Sequence, residues 1–446
     1  MYWRDDILYR QVNESCANDL AMLIDSGLYQ QLADNQSLIE HEVVSTELAA
    51  NPGACSVLKP KLIATISYPY EWCFSQLKDA ALLTLDIQDQ ALRKDMSLKD
   101  ASAYNVQFAD GRPVFIDTLS FGRYVENRPW VAYGQFCRHF LAPLALMAQV
   151  DVNLNELLRT NIDGIPLPLA KKLLPARKLL SPSLAMHIWL HARGEMQAHQ
   201  QRDGERSTSG TFSRNSFHGL IDSLRTAVSK LEWKPGGTEW FDYYEANNNY
   251  GETGLQEKEA LVRNYLEHFK PKSVWDLGGN TGRFSRIAVD AGADAVCFDI
   301  DPGCVESNYL HAKSKNEAHL LPLLMDLGNP SPRLGWDNSE RMSLADRGPA
   351  DVVMALGLVH HLAIGINVPF SLIARMFSQV ARNLIVEFIP RGDSQIDKLL
   401  STRKDVFIEY HEDQFRDAFG AYFEIVKAEP IPGTKRTLYA MSLRQD

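Results

Sequence analysis

The chain has 446 residues, 45% hydrophobic and 23% charged, the balance of a globular protein long enough for two or three domains, and its formal net charge of −10 argues against broad electrostatic binding of nucleic acid. Its six cysteines, at positions 16, 55, 73, 137, 297 and 304, include no CxxC pair, so neither a disulfide framework nor a zinc site is indicated. No apolar signal core opens the chain and no run approaches transmembrane length, so a reducing, cytoplasmic setting without membrane contact is expected, with oligomerisation left open.

Residues 1–150 are rich in aromatic side chains and short apolar runs. Asp100 is followed five positions later by Asn105, and Asp117 comes after the hairpin-like stretch around Gly111. Two carboxylates and an amide in this order can grip magnesium beside a phosphate. The pattern resembles the catalytic loop and metal-binding Asp of kinase-fold phosphotransferases, above all the aminoglycoside phosphotransferase type, over about residues 40–150. The resemblance implies an α+β module in which Asp100 would be the base, and Asn105 and Asp117 would hold metal only if the module is active. Leu98 stands where the family has histidine, no glycine-rich loop precedes, and Lys59 and Lys61 flank Pro60 instead of lying on a Val-Ala-x-Lys strand. A degenerate module serving acceptor recognition or assembly is therefore expected. The residues also fit a loop and hairpin kept for folding, with Asn105 and Asp117 bonding backbone.

Residues 151–235 form an expected helical connector, broken at Pro166, Pro168, Pro175 and Pro182. The polar stretch Gln200 to Ser213 reads as an exposed linker, Phe217 to Leu231 returns to helical spacing, and Lys234-Pro235-Gly236-Gly237 breaks the chain before a last domain over 236–446. Trp240, Tyr243, Tyr244 and Tyr250 then form an aromatic segment that can fold over a ligand or simply pack. Lys258 either reaches the ligand region or is an exposed helix lysine.

Val274-Trp275-Asp276-Leu277-Gly278-Gly279-Asn280-Thr281-Gly282 joins an apolar run to a glycine-rich turn and a helix-like segment. This is how a nucleotide-like ligand is held at the carboxyl end of a parallel strand. Further apolar runs end at Asp299, at Asp326, at His360-His361 and near Glu387. Asp299 lies 21 positions after Gly278 (299 − 278), where a carboxylate suits a ribose diol. Strand-length runs separated by helix-length segments predict an α/β, doubly wound, mainly parallel sheet. Phe423–Val426 and Thr437–Met441 predict an antiparallel edge with an antiparallel last strand, with Pro430, Pro432 and Gly433 in the turn. A dehydrogenase would show Gly-x-Gly-x-x-Gly and further parallel units, which this segment lacks.

The segment from about Gln256 onward resembles the class I S-adenosylmethionine-dependent methyltransferases. The family's acidic-x-Gly-x-Gly-x-Gly motif falls on Asp276, Gly278, Asn280 and Gly282, with Asn280 in place of the middle glycine. The resemblance implies S-adenosylmethionine as cofactor. Asp276 and the turn Gly278, Gly279, Asn280 and Gly282 would hold its amino acid part, Asp299 with Ile300 its ribose, and Asp326 with Leu327 its adenine. The segment Gly357 to Leu362 would face the methyl group, making His360, His361 and Glu387 candidate catalytic residues. Either histidine could instead pack or bond backbone, and Glu387 could instead pair with Arg391. The arrangement is similar to methyltransferases found beside rhizobial nodulation proteins, which implies an unidentified small-molecule, glycan or secondary-metabolite acceptor. A bifunctional kinase and methyltransferase, and a non-catalytic cofactor-binding pseudoenzyme, are the alternatives.

Overall fold

A computed structural model of the chain describes residues 1–175, 184–190, 212–238, 240, 250–401 and 405–445. The chain divides into two compact units, Met1–Lys234 and Pro235–Asp446. The linker expected at 200–213 falls almost wholly outside the described residues, as do Tyr243 and Tyr244.

The first unit opens with a four-stranded antiparallel sheet of β1 (Tyr2–Arg4), β2 (Ile7–Asn13), β3 (His41–Val44) and β4 (Ala54–Pro60), in the order β1-β2-β4-β3. The helix Phe74–Leu92 follows and buries Phe74, Leu77, Ala81, Leu85, Gln88 and Leu92, a stripe at three- and four-residue spacing. Its start is closed by Gln76, whose Oε1 accepts the Cys73 N–H at 3.0 Å. The helix Arg214–Ser229 packs along it, tied by Arg225 to Asp86, by His218 to Asp89 at 3.1 Å, and by Lys78, which donates to the carbonyls of Ser229 and Leu231. Two small ribbons complete the unit. β5 (Met96–Leu98) pairs with β8 (Phe121–Arg123), and β6 (Val106–Ala109) with β7 (Arg112–Phe115). The β6–β7 turn, Asp110-Gly111, has positive φ at both residues, the conformation that a two-residue hairpin requires.

The second unit is built on one seven-stranded sheet: β9 (Ser273–Leu277), β10 (Asp294–Asp299), β11 (Leu320–Leu324), β12 (Ala350–Ala355), β13 (Ala381–Phe388), β14 (Phe423–Pro430) and β15 (Thr437–Leu443). The order is β11-β10-β9-β12-β13-β15-β14. The first five strands run parallel, and β15 lies antiparallel between β13 and β14. This is the α/β sheet that the alternation of runs predicts. Pro430 ends β14, where the sequence places it in the turn; its position on the edge strand leaves no central ladder bond missing.

The central strands read as unbroken apolar runs because both faces are covered. Val274, Val352, Met354 and Ile385 face Val262 and Leu266 of the helix Gly251–Phe269 and Ile287 of the helix Arg283–Asp290 in one core cluster. Elsewhere in the unit the helix Phe370–Val380 buries Phe370, Ile373, Ala374, Phe377 and Val380, and Phe377 meets Phe419 with ring centroids 6.2 Å apart. Beyond β9 the strand order reverses: β10 is its neighbour on one side and β12 on the other. Chain leaving β9 and chain leaving β12 therefore diverge and leave a crevice at their carboxyl ends. Phe377→Ala is expected to lower the stability of this unit by about 3–5 kcal/mol, since a fully buried ring leaves a cavity; urea denaturation with a probe in the second unit measures it.

Candidate functional site

The crevice contains a cavity of about 370 Å³, lined by residues that follow four successive strands of the sheet: Gly278 and Asn280 after β9, Asp299 and Ile300 at β10, Met325 to Gly328 after β11, and Leu356 to Leu362, Val359 excepted, after β12. Trp240, Tyr250 and Lys258 close it from the N-terminal side of the unit, and Gln395 and Leu399 from beyond β13. Sequence-predicted residues are thus brought together: Gly278, Asn280, Asp299, Ile300, Asp326, Leu327, His360 and His361 share one wall system. Asp276 stands behind the turn, 1% exposed, with Oδ2 accepting the Ser285 hydroxyl at 2.6 Å.

The turn after β9 is shaped by close approach. A Cβ on Gly279 would lie 2.5 Å from Cys297 Sγ and 2.7 Å from Asp276 Oδ2, so no side chain fits there. Gly282 caps the helix Arg283–Asp290 at φ +79°, and a Cβ there would meet the Asn308 amide at 2.6 Å. Asn280 replaces the expected middle glycine at φ +53°, a left-handed conformation that asparagine tolerates. Its side chain gives the substitution a purpose: Nδ2 donates to the Trp240 carbonyl at 2.9 Å and Oδ1 accepts the Thr281 N–H at 2.8 Å.

Asp299 is held by two turns. Its Oδ2 accepts the Asn280 N–H at 2.7 Å and its Oδ1 accepts the Asp301 N–H at 2.9 Å. Burial pushes the Asp299 carboxyl up to about 6 against these lowering bonds, and burial likewise pushes Asp276 up to about 6. Asp301 caps the helix Pro302–Lys315 with Oδ1 and takes the Trp240 N–H on Oδ2 at 2.9 Å. The Trp240 indole in turn stands edge-on to His361, with centroids 5.0 Å apart. Asp326 is exposed at the cavity wall, where its Oδ1 accepts the Gly328 N–H at 2.7 Å.

His360 is 3% exposed, and neither of its ring nitrogens has a hydrogen-bond partner among the described residues. Burial, the His361 ring and the Arg436 and Lys258 cations hold it well below the usual imidazole range. Burial also lowers His361, to about 4.

Glu387 departs from the ion pair with Arg391 that the sequence suggests; Arg391 pairs with Asp405 at 2.5 Å. Glu387 is fully buried and bound on both oxygens. Lys258 Nζ donates to Oε2 at 2.8 Å, the Tyr250 hydroxyl lies 2.7 and 2.9 Å from the two oxygens, and Arg436 Nη1 reaches Oε1 at 3.4 Å. Arg436 also makes a two-point contact with Asp393. Burial would raise Glu387, but the Lys258 and Arg436 cations hold it below the usual range. It is therefore an ionised anchor facing its partners, and a weak candidate for a base. Of the two readings of Lys258, the exposed helix lysine is set aside: it is 3% exposed, lines the cavity from the helix Gly251–Phe269, and its Nζ lies 4.6 Å from the Tyr250 and Phe284 ring centres. Sequence reading missed Arg436 and Asp393 altogether. Neither sits in a motif, and only the fold brings them to Glu387.

The phosphotransfer constellation in the first unit has a different outcome. Asp117 pairs with Arg10 of β2, accepts the Leu119 N–H at 3.1 Å and takes the Ser120 hydroxyl at 2.6 Å. Asn105 donates to Ser120 at 3.4 Å, and Asp100 accepts the Ser102 N–H at 2.8 Å. These are the bonds of a folded loop and hairpin. Among the described residues no group of three or more His, Cys, Asp or Glu side chains is placed to hold a metal ion, and no helix is long and apolar enough to cross a membrane.

Fold and crevice together define an α/β second unit with a cleft at the carboxyl edge of its mainly parallel sheet. The chain is 36% identical over 423 residues to nodulation protein NoeA of Rhizobium meliloti (strain 1021), a match spanning 94% of this chain and 87% of that one, and it belongs to the NoeA family. No protein-family model matches it. Solved structures similar to part of it include magnesium protoporphyrin IX methyltransferase ChlM from Synechocystis PCC 6803 with bound SAH (19% identity, 43% of this chain and 84% of that one, TM-score 0.31). The N-methyltransferase NodS from Bradyrhizobium japonicum WM9 (9%, 44% and 99%, 0.33) and the bifunctional kinase-methyltransferase WbdD (16%, 49% and 45%, 0.31) are two more. At these scores the likeness is too loose to assign an activity.

Glu387→Gln tests the anchor. Removing one partner of a buried pair strands the Lys258 charge, and the second unit is expected to lose roughly 3–5 kcal/mol. The double variant Glu387→Gln with Lys258→Met is expected to recover much of that loss in chemical denaturation, an outcome that a free catalytic base would not give.

Proposed function

We propose that the second unit binds S-adenosylmethionine in this cleft and transfers its methyl group to an acceptor. One observation carries the reading: Asp299, at the carboxyl end of β10, stands on the cavity wall with both oxygens oriented by backbone N–H groups of two turns. Each oxygen keeps a lone pair, so the carboxylate can accept both hydroxyl protons of a ribose. Ile300 and Leu327 flank it with apolar surface for a base, and Asp326 offers an acceptor at the same edge. The turn Gly278 to Gly282 brings backbone close to the ligand, and Asp276 supports that turn from behind through Ser285. The residues present thus fit a nucleoside with a free diol. The cofactor supplies an activated methyl group; the chain's own part is to position, exclude water and handle the acceptor's proton.

The acceptor would enter where His360, His361, Gln395 and Leu399 meet the cavity. A small molecule, glycan or secondary metabolite is the proposed class. The Arg10 ion pair that already occupies Asp117 speaks against phosphotransfer in the first unit; that unit is inferred to serve recognition or assembly.

Two measurements test the reading. Asp299→Ala is expected to weaken cofactor binding in calorimetry by roughly 1.5–3 kcal/mol with the fold intact. The pH dependence has a definite sign. A carboxyl raised to about 6 is protonated below that value and then cannot accept from both hydroxyls. Cofactor affinity of the wild type should therefore fall as pH drops through about 6 and reach a plateau above it. Unchanged affinity in the variant together with a flat pH profile would remove Asp299 from the site.

A further inference from the structure

The second unit holds another cavity, of about 560 Å³, that the cofactor reading leaves unused. It lies beside the cleft and is built from the same two segments. After β12, Leu362, Gly365 and Ile366 line the cleft, whereas Ala363, Asn367 and Val368 line the second cavity. After β13, Gln395 and Leu399 line the cleft, whereas residues 406–410 line the second cavity. Ile366 and Asn367 are chain neighbours, about 3.8 Å apart at Cα, so a single backbone segment separates the two spaces there. The cleft, at about 370 Å³, is near the lower end of the roughly 300–1,000 Å³ that one organic ligand takes. With cofactor bound it has room for the reacting end of an acceptor, and the rest of the acceptor must lie outside.

The lining selects the chemistry. The floor is aromatic: Phe370 and Tyr410 are buried with ring centres 5.2 Å apart, and Tyr410 donates its hydroxyl to the Ile389 carbonyl at 2.8 Å, which leaves ring surface alone. The lip is aliphatic and exposed, Val406 at 58% and Ile408 at 82%. It is also pinned. Arg391 pairs with Asp405 and donates to the carbonyls of Phe407 and Tyr410, so the lip's backbone is held while its apolar side chains face water. Around these surfaces stand Asn367, Ser371 and Gln414, which both donate and accept, and the carboxylates of Glu409 and Asp417. All five are exposed, and the described lining contains no lysine, arginine or histidine. Two carboxylates without a cation turn away a phosphorylated or carboxylated ligand. An organic cation would leave the amides and the hydroxyl idle, and exposed carboxylates attract it weakly across water. A neutral sugar uses the whole lining. Its hydroxyls donate to the carboxylates as charge-assisted bonds and pair with the amides, while its C–H faces cover the rings and the lip.

We propose that this second cavity holds a neutral saccharide portion of the methyl acceptor; the proposal rests on the methyl-transfer reading above. Glu409, Asp417, Asn367 and Gln414 bind its hydroxyl groups, and Phe407 and Ile408 cover a ring face. The reacting end passes round the segment 362–367 into the cleft, toward the wall made by Gln395 and Leu399. Acceptor recognition is thereby separated from methyl transfer: neither Glu409 nor Asp417 lines the cleft, so both select the acceptor without touching the reacting atoms.

The experiment titrates the full chain by saturation-transfer NMR with neutral di- and tetrasaccharides of glucose, mannose, galactose and N-acetylglucosamine. Glucose 6-phosphate, glucuronate and glucosamine are the charged counterparts. Calorimetry with S-adenosylhomocysteine and sedimentation are run in parallel on wild type, on Ile408→Ser and on the double variant Glu409→Gln with Asp417→Asn. All three positions are exposed, so the fold is not at stake. The expected result is that at least one neutral saccharide binds wild type and is retained when S-adenosylhomocysteine is added. Its affinity falls by about tenfold or more in both variants, while S-adenosylhomocysteine affinity stays within about twofold. Binding of no neutral saccharide, preference for a charged counterpart, indifference to both variants or displacement by S-adenosylhomocysteine each overturns the proposal and leaves the methyl-transfer reading standing. A wild-type dimer that Ile408→Ser dissociates assigns the lip to a second copy of the chain and overturns it too. Saccharide binding by a wild type that takes no S-adenosylhomocysteine overturns the methyl-transfer reading, and the acceptor role of this cavity with it.

Discussion

Two hydrogen bonds to one carboxylate fix the geometry of the cleft. Asp299 draws the Asn280 N–H from the turn after β9 and the Asp301 N–H from the turn after β10, so two strand ends are tied to a single side chain. Trp240 is then held by both turns, donating its N–H to Asp301 and accepting from the Asn280 amide. Its indole stands edge-on to His361. A chain of contacts thus runs from the Asp299 carboxylate to the histidine pair across the mouth of the cavity. Such a linked set of partners holds the groups on the cavity wall in place better than isolated contacts, because moving one member breaks several bonds.

The second framework is the buried group of Lys258, Glu387, Tyr250, Arg436 and Asp393. Its two cations and two carboxylates balance, and its hydrogen bonds offset part of the desolvation that such burial demands. Arg436 also lies over the Tyr250 ring, 4.2 Å from its centre, which adds a cation–π contact and fixes that ring where it lines the cavity. The network does more to hold shape than to react.

Much of the second unit was legible in the sequence, since buried parallel strands appear as apolar runs and the turn after β9 needs small residues at fixed places. The Asp299 spacing pointed to the same cleft. What could not be read were partnerships made across the fold. Lys258 looks like any helix lysine, and only the cluster around Phe284 and Glu387 shows why it is buried. Glu387 has Arg391 four residues away, yet its partners come from positions 250, 258 and 436. In the first unit the order of Asp100, Asn105 and Asp117 was plain, but local sequence gave no sign that Arg10 of β2 would meet Asp117.

The placement of β15 has a bearing on how the second unit comes into being. This strand, late in the chain, slots between β13 and β14, and the residue just before it is Arg436. During synthesis, β9 to β13 can emerge and pair while Glu387 still lacks one of its two cations. The edge of β13 stays open until β15 arrives, and a parallel sheet with an unpaired edge is prone to join the wrong neighbour. Closing that edge and bringing the second cation to the buried carboxylate are the same event, so the cleft gains its final electrostatics only when the sheet gains its last bonds.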